Sequence, residues 1–295
     1  MKKCYDKNDR LFRGLVMQYK DILVFLDSGD SNESRVETAI ALASAHDARL
    51  VGIAYDIDVP RHIASIIPGF SLEQQRTASR LMSQNMVDQF LKRTEQAGIS
   101  SDATIMKCRV SRAPGKLAAF ARNFDLSVLR QAHRGAQQSE LDSAVSEAVL
   151  VSSGRPVLYI PYVGAQVIPP KQALIAWDCS RTSTRAIHDA LPLLEMVDNA
   201  VVLISDADPK MVEKMTRRCQ VMVDHLQRHG IKAEIQFASS EGSDTASTIL
   251  NSLVDTGSDL LVMGGFGTSR FREQILGGVT KTILEIMTVP VFMSN

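Results

Sequence analysis

Short, wholly apolar runs alternate along this chain with longer stretches in which apolar residues recur every three or four positions. Asp21-Ile-Leu-Val-Phe-Leu-Asp27 is a short apolar run ending in an aspartate, and Gln172-Ala-Leu-Ile-Ala-Trp-Asp178 ends in the same way. Runs this short, apolar at every position, predict strands buried on both faces. In the second half they place strands at Ala173–Asp178, Ala200–Ser205, Ala233–Ala238, Leu260–Gly264 and Val289–Ser294. Helical periods fall between them near Thr182–Met196, Lys210–His229, Thr245–Thr256 and Thr280–Met287. Asp208-Pro209 is a helix-start signal and Gly230 a stop, while Ser243 or Asp244 is placed to cap the third helix. The first half repeats the order, with strands near Ile22–Asp27, Leu50–Ala54, Ala103–Lys107, Leu126–Leu129 and Val157–Ile160. Buried strands separated by helices predict parallel sheets with right-handed crossovers. The expected fold class is therefore α/β, as two tandem open five-stranded parallel-sheet sandwiches of Rossmann-like form.

The repeat is internal and imperfect. Asp27 recurs as Asp178, 151 positions on, whereas Pro156 recurs as Pro290, only 134 positions on. The first half thus carries about seventeen extra residues, expected near Asp58–Ser71, where Pro60, Pro68 and Gly69 break any regular period. Domains are expected over 18–162 and 170–295. Between them Pro161–Pro170 contains three prolines and no helical period, which reads as a short stiff joint.

Composition narrows the function classes. Lys plus Arg and Asp plus Glu both total 33, so no net charge favours nucleic acid or anionic lipid. No run of apolar residues reaches the ~18 needed to span a membrane, and the first residues lack a signal-peptide core. Four scattered cysteines form no metal-ligand spacing, and a cytoplasmic protein with reduced thiols is expected.

The stretch Leu260-Leu-Val-Met-Gly-Gly-Phe-Gly-Thr-Ser-Arg-Phe-Arg-Glu-Gln-Ile-Leu-Gly-Gly-Val-Thr280 holds the candidate chemistry. Here a strand runs into Gly264, Gly267 follows two residues later, and Gly277-Gly278 opens a helix. Without a Cβ, backbone can approach a phosphate closely, and the free N–H groups of a helix start favour an anion. Neither a P-loop string nor a dinucleotide fingerprint directly after the first strand is present.

The spacing Gly264-x2-Gly267-x9-Gly277, set after the fourth strand and before the last helix, resembles the nucleotide signature of the universal stress proteins. Both halves resemble that family, in its tandem-domain type, but only the second has the glycines. The resemblance implies a cytoplasmic stress-response protein that binds ATP or AMP, with Mg²⁺ where the phosphates need it. It places Gly264, Gly267, Gly277 and Gly278 along the phosphates and Val279 at a backbone contact in the same loop. Trp177 and Asp178 fall on the adenosine side, with Ile204 at the end of the next strand. Gly278 stands where the family has Ser or Thr. In the first half the corresponding loop is Leu129-Arg-Gln-Ala-His-Arg-Gly-Ala-Gln-Gln-Ser139, with Ser146-Glu147 in place of the helix-opening glycines, so that site is expected to be degenerate.

No nucleophile, general base or metal cluster is evident, so binding and signalling are expected rather than catalysis. The alternative is an interaction module with both pockets closed, favoured by Trp177 and Gly278. The methionines 211, 215 and 222 have helical spacing and read as core. His188, His225 and His229 fall in helical periods. The resemblance also implies pairing of the two terminal strands, Val157–Ile160 against Val289–Ser294, within one chain, with a homodimer as a further step. Nucleic acid and membrane are not expected partners.

Overall fold

A computed structural model describes residues 18–29, 32–58, 72–131, 139–162, 168–205, 212–239, 244–266 and 278–295. The first half comprises β1 (Asp21–Leu26), α1 (Asn32–His46), β2 (Arg49–Asp58), α2 (Leu72–Gln96), β3 (Ser101–Arg109), α3 (Ala113–Ala121), β4 (Leu126–Arg130), α4 (Ser139–Ser152) and β5 (Val157–Ile160). The second half comprises β6 (Gln172–Ala176), α5 (Arg181–Leu194), β7 (Asn199–Ser205), α6 (Val212–Arg228), β8 (Ala233–Ala238), α7 (Thr245–Thr256), β9 (Leu260–Gly264), α8 (Gly278–Ile286) and β10 (Val291–Ser294). The expected extra residues near Asp58–Ser71 lie almost wholly outside the described segments. So do half of the joint before β6 and the Asp208-Pro209 start signal. Part of the length difference is visible in the helices that follow each half's second strand: α2 has 25 residues and α6 has 17.

Each half forms five parallel strands, and the two sets join edge to edge. The strand order is β3-β2-β1-β4-β5-β10-β9-β6-β7-β8, a single ten-stranded sheet. At its centre β5 and β10 pair antiparallel, with Val291 opposite Tyr159 and Phe292 opposite Leu158. The terminal strands thus cover each other's edges, which would otherwise offer unpaired N–H and C=O groups.

Apolar side chains alternate across this sheet into two cores. One face packs Val36 and Leu42 of α1, Phe90 of α2, Ile187 and Leu191 of α5, and Val223 and Leu226 of α6. The other face packs Leu117 of α3, Val149 of α4, Ile249 and Leu253 of α7, and Ile283 of α8. Helix ends follow their local chemistry. Asp244, of the two expected caps, accepts hydrogen bonds from the N–H groups of Ala246 and Ser247, and Gly257 closes the same helix with φ of 65°. Gly230, with φ of 77°, follows α6 as the stop signal requires.

Polar contacts stitch the halves together along the seam. The Tyr19 hydroxyl donates to the Asp189 carbonyl at 2.8 Å. Gln131 Nε2 donates to the Glu285 carbonyl at 3.0 Å. Arg185 donates to the carbonyls of both Asn295 and Gly154.

Candidate functional site

In the second half, β6 is the first strand in sequence and lies between β7 and β9. The chain leaves β6 toward one neighbour and later returns to the other side, so the carboxyl ends of β6 and β9 flank a topological switch point, where open α/β sheets bind ligands. The register pairs Ala176 with Met263, and Asp178 and the start of the glycine loop therefore emerge at the same edge.

Asp178 is exposed at that edge, and its position is fixed from below. Its Oδ1 accepts the Ser180 N–H at 2.9 Å and the Ser183 hydroxyl at 2.6 Å. Ser180 is also the N-cap of α5, accepting from the Ser183 N–H. Partial burial raises the Asp178 carboxyl, but the hydrogen bonds from Ser180 and Ser183 outweigh it and hold it below its ordinary value. The result is an ionised carboxylate with one oxygen occupied by the α5 entry turn. Cys179 takes φ of 59° to make this turn. These two serines were legible only as a polar turn; their bonding to Asp178 required the folded loop.

The described glycines of the loop divide by what a side chain would meet. A Cβ at Gly264 would lie 2.6 Å from the Ser183 backbone nitrogen and 2.8 Å from Thr182, so this glycine admits the start of α5. At Gly265 a Cβ would meet Leu150 Cδ2 at 2.7 Å, and this second glycine admits α4 of the first half. Gly278 is exposed at the first position of α8, with no atom within 4 Å of an added Cβ. Gly267 and Gly277 lie outside the described residues.

Val279 turns its side chain toward the core on the α7–α8 face, leaving its N–H among the first-turn donors that no carbonyl within the helix can take. Thr280, buried in that first turn, accepts the Phe266 N–H at 3.4 Å and ties the strand exit to the helix start. Phe266 itself has φ of 56°. Thr280 was not singled out by sequence, although a hydroxyl one turn into a glycine-opened helix is a fair signal.

Trp177 and Ile204 lie elsewhere. Their relative exposures are 8% and 2%, and both belong to the core on the α5–α6 face, beneath the edge where Asp178 emerges. The Trp177 Nε1 is buried there with no hydrogen-bond partner. The structure therefore brings together Asp178, Gly264, Gly278 and Val279 at one edge of the sheet, and packs Trp177 and Ile204 into the core instead.

The first half fills the corresponding place with charge. Arg130 ends β4 where Gly264 ends β9, and its guanidinium pairs with Asp142 of α4 and lies 3.5 Å from Asp27, the counterpart of Asp178. Arg35, fully buried, donates to Asp27 Oδ2 at 2.8 Å and through Nε to the Phe25 carbonyl at 2.7 Å. A Cβ on Gly29 would meet Arg130 Nη1 at 2.6 Å. Two arginines and two aspartates thus meet at this edge of the first half. Arg130 was the readable signal, being a charged residue in register with a glycine of the repeat. Beside this cluster, Asp27, Gly29 and Asn32 border a groove of about 730 Å³ with Met82 and Met86 of α2 on its other wall.

Together, sheet order, crossover pattern and paired terminal strands give this chain the fold of the universal stress proteins in tandem. A universal stress protein from Archaeoglobus fulgidus DSM 4304 aligns with 95% of this chain and 98% of its own at a TM-score of 0.73 and 18% identity. A functionally unknown protein, PA1789 of Pseudomonas aeruginosa PAO1, aligns with 94% of this chain and 92% of its own at a TM-score of 0.54 and 10% identity. No protein-family model and no curated protein matches the sequence. Among the described residues, no helix is long and apolar enough to cross a membrane, and no group of three or more acidic, His or Cys side chains converges as a metal site.

Proposed function

We propose that the chain is a stress-response protein of the universal stress type that binds ATP or a related adenine nucleotide in its second half. The observation that carries this reading is the contrast between the halves at one structural position. Where the first half closes its sheet edge with Arg130 and Arg35 on Asp27, the second presents an ionised Asp178, a glycine strand exit and a helix start at Gly278, where no described atom lies within 4 Å of an added Cβ. An anion at the α8 N-terminus gains from the unpaired N–H groups there, and an exposed carboxylate one strand away suits the hydroxyls of a ribose. These features match the residues through which the sequence resembles the nucleotide-binding branch of the family.

The proposed role is binding and signalling rather than turnover, as a cytoplasmic protein. The sequence offers no nucleophile with an adjacent base to support hydrolysis. Mg²⁺ would accompany the phosphates as part of the ligand.

Titration with a fluorescent ATP analogue tests the reading. Wild type is expected to bind below ~1 mM, and Asp178→Asn to bind at least about tenfold more weakly, a loss of roughly 1.4 kcal/mol. Absence of binding at ~1 mM in both proteins would instead support a module with both pockets closed.

A further inference from the structure

The strand exit that begins the glycine loop is gripped from the first half. Gly265 is buried, and a Cβ added to it would lie 2.7 Å from Leu150 Cδ2 and 3.3 Å from Leu150 Cγ, both in α4. Its polar groups are taken as well. The Gly265 N–H donates to the Ser294 carbonyl at 2.8 Å, and the Gly265 carbonyl accepts from Asn295 Nδ2 at 3.0 Å. One residue earlier, a Cβ on Gly264 would lie 2.6 Å from the Ser183 nitrogen of α5, and the Ser183 hydroxyl donates to Asp178 at 2.6 Å. Contacts therefore run continuously from α4, through the strand exit and the α5 entry turn, to the Asp178 carboxylate.

A second crossing reaches the other element of the same edge. Gln131 follows the end of β4 as Gly265 follows the end of β9, so the first half carries an amide side chain where the second carries none. Gln131 is buried; its Nε2 donates to the Glu285 carbonyl at 3.0 Å and its Oε1 accepts the Tyr162 N–H at 3.1 Å. Glu285 lies in the last turn of α8, the nine-residue helix that Gly278 opens. The first half thus touches both parts of the proposed nucleotide site, the strand exit through Leu150 and α8 through Gln131. Close-packed contacts of this kind transmit a displacement rather than absorb it, because protein interiors are scarcely compressible.

On the nucleotide reading of the second half, on which this inference rests, we propose that the first half is a positioning partner for that site. Leu150 and Gln131 hold the strand exit and α8 in the geometry that binds nucleotide, so that binding and closure of the seam between the halves are linked. Both are positioning residues: Leu150 acts through Gly265 and Gln131 through the Glu285 carbonyl. Linkage of this kind is reciprocal, so bound nucleotide must strengthen the contacts across the seam by the factor through which they strengthen binding. The half that lacks the glycines then has a role that needs no open pocket of its own.

Amide hydrogen exchange of the full-length chain, with and without a saturating fluorescent ATP analogue, tests the proposal. The analogue is expected to slow exchange at Leu150–Ser153 of the first half, a response that packing without linkage does not produce. Leu150→Ala and Gln131→Met should each weaken analogue binding at least about fivefold, at a temperature where circular dichroism shows them folded. Leu150→Met should restore most of the affinity, and Val151→Ala, at an exposed neighbour on α4, should bind as wild type does. Should Leu150→Ala fail to fold, Gln131→Met and exchange in the wild type carry the test. The proposal is overturned if the analogue binds wild type without slowing exchange at Leu150–Ser153, or if the folded variants bind as tightly as wild type. If wild type binds no analogue, the nucleotide reading itself fails. The positioning contacts are then decided in the ligand-free chain: faster exchange at Gly264–Phe266 in Leu150→Ala upholds them, and wild-type exchange there overturns them.

Discussion

Gly264 and Gly278 belong to one sequence motif but answer to different forces. Gly264→Ala forces a methyl against the α5 backbone and should destabilise the protein by about 1–3 kcal/mol in urea unfolding, whether or not nucleotide is present. Gly278→Ser has open space and restores the hydroxyl characteristic of the family. It should leave stability nearly unchanged and tighten binding of the ATP analogue by up to about tenfold, the worth of one hydrogen bond of roughly 0.5–1.5 kcal/mol. Gly278, not Gly264, is therefore the clean probe of the proposed nucleotide site.

A second residue-scale consequence concerns His46, which is buried against the Tyr19 ring with centroids 5.0 Å apart. Burial, with Lys20 nearby, lowers its pKa from 6.5 to about 4. The unfolded chain therefore takes up a proton that the folded chain refuses as pH falls through this window. The resulting stability is complete above pH 6.5 and is lost progressively toward pH 4, at a total of about 3 kcal/mol. Urea midpoints between pH 7 and pH 4 should show this slope, and His46→Phe should flatten it.

At the scale of elements, most strands were legible as nearly unbroken apolar runs, the edge strands β3 and β8 being the exceptions with polar residues interspersed, and their positions agree with the pattern to within a few residues. β2 is the largest departure: it runs from Arg49 to Asp58, well past the expected Ala54, because β3 continues beside it in register to Arg109. Such an extension is set by the neighbouring strand and leaves little trace in local sequence. The buried ion cluster in the first half is another interaction between elements, joining β1, α1, β4 and α4. Arg35→Ala leaves Asp27 without its closest ion-pair partner and should cost about 3–5 kcal/mol in equilibrium unfolding. The matching position in the second half is Ala186, which is already fully buried in the core, so the two halves solve the same packing problem with different chemistry.

For the whole molecule, the β5–β10 seam makes one sheet from two repeats. Phe292 is fully buried at the seam, opposite Leu158 of the other half. Phe292→Ala should destabilise the chain by about 3–5 kcal/mol. It should also separate unfolding transitions that are expected to coincide in the wild type, as followed by Trp177 fluorescence for the second half and hydrogen exchange of β1 for the first. The contact of Leu150 with the Gly265 position adds a link, since α4 of the first half lies directly against the exit of the glycine loop.

The sequence by itself determined the α/β class, the two repeats, the order of strands and helices, and the asymmetry of the glycine loop. All of these are written in local periodicity, in glycine spacing and in the shift between repeated landmarks. Only the tertiary structure decided why each described glycine is there, which charges close the first half, and where Trp177 lies relative to Asp178. Those outcomes depend on atoms brought together from distant parts of the chain, such as Leu150 against Gly265 or Arg130 against Asp27. Local pattern is silent about such pairs because their energies arise from burial and contact, which exist only once the sheet has assembled.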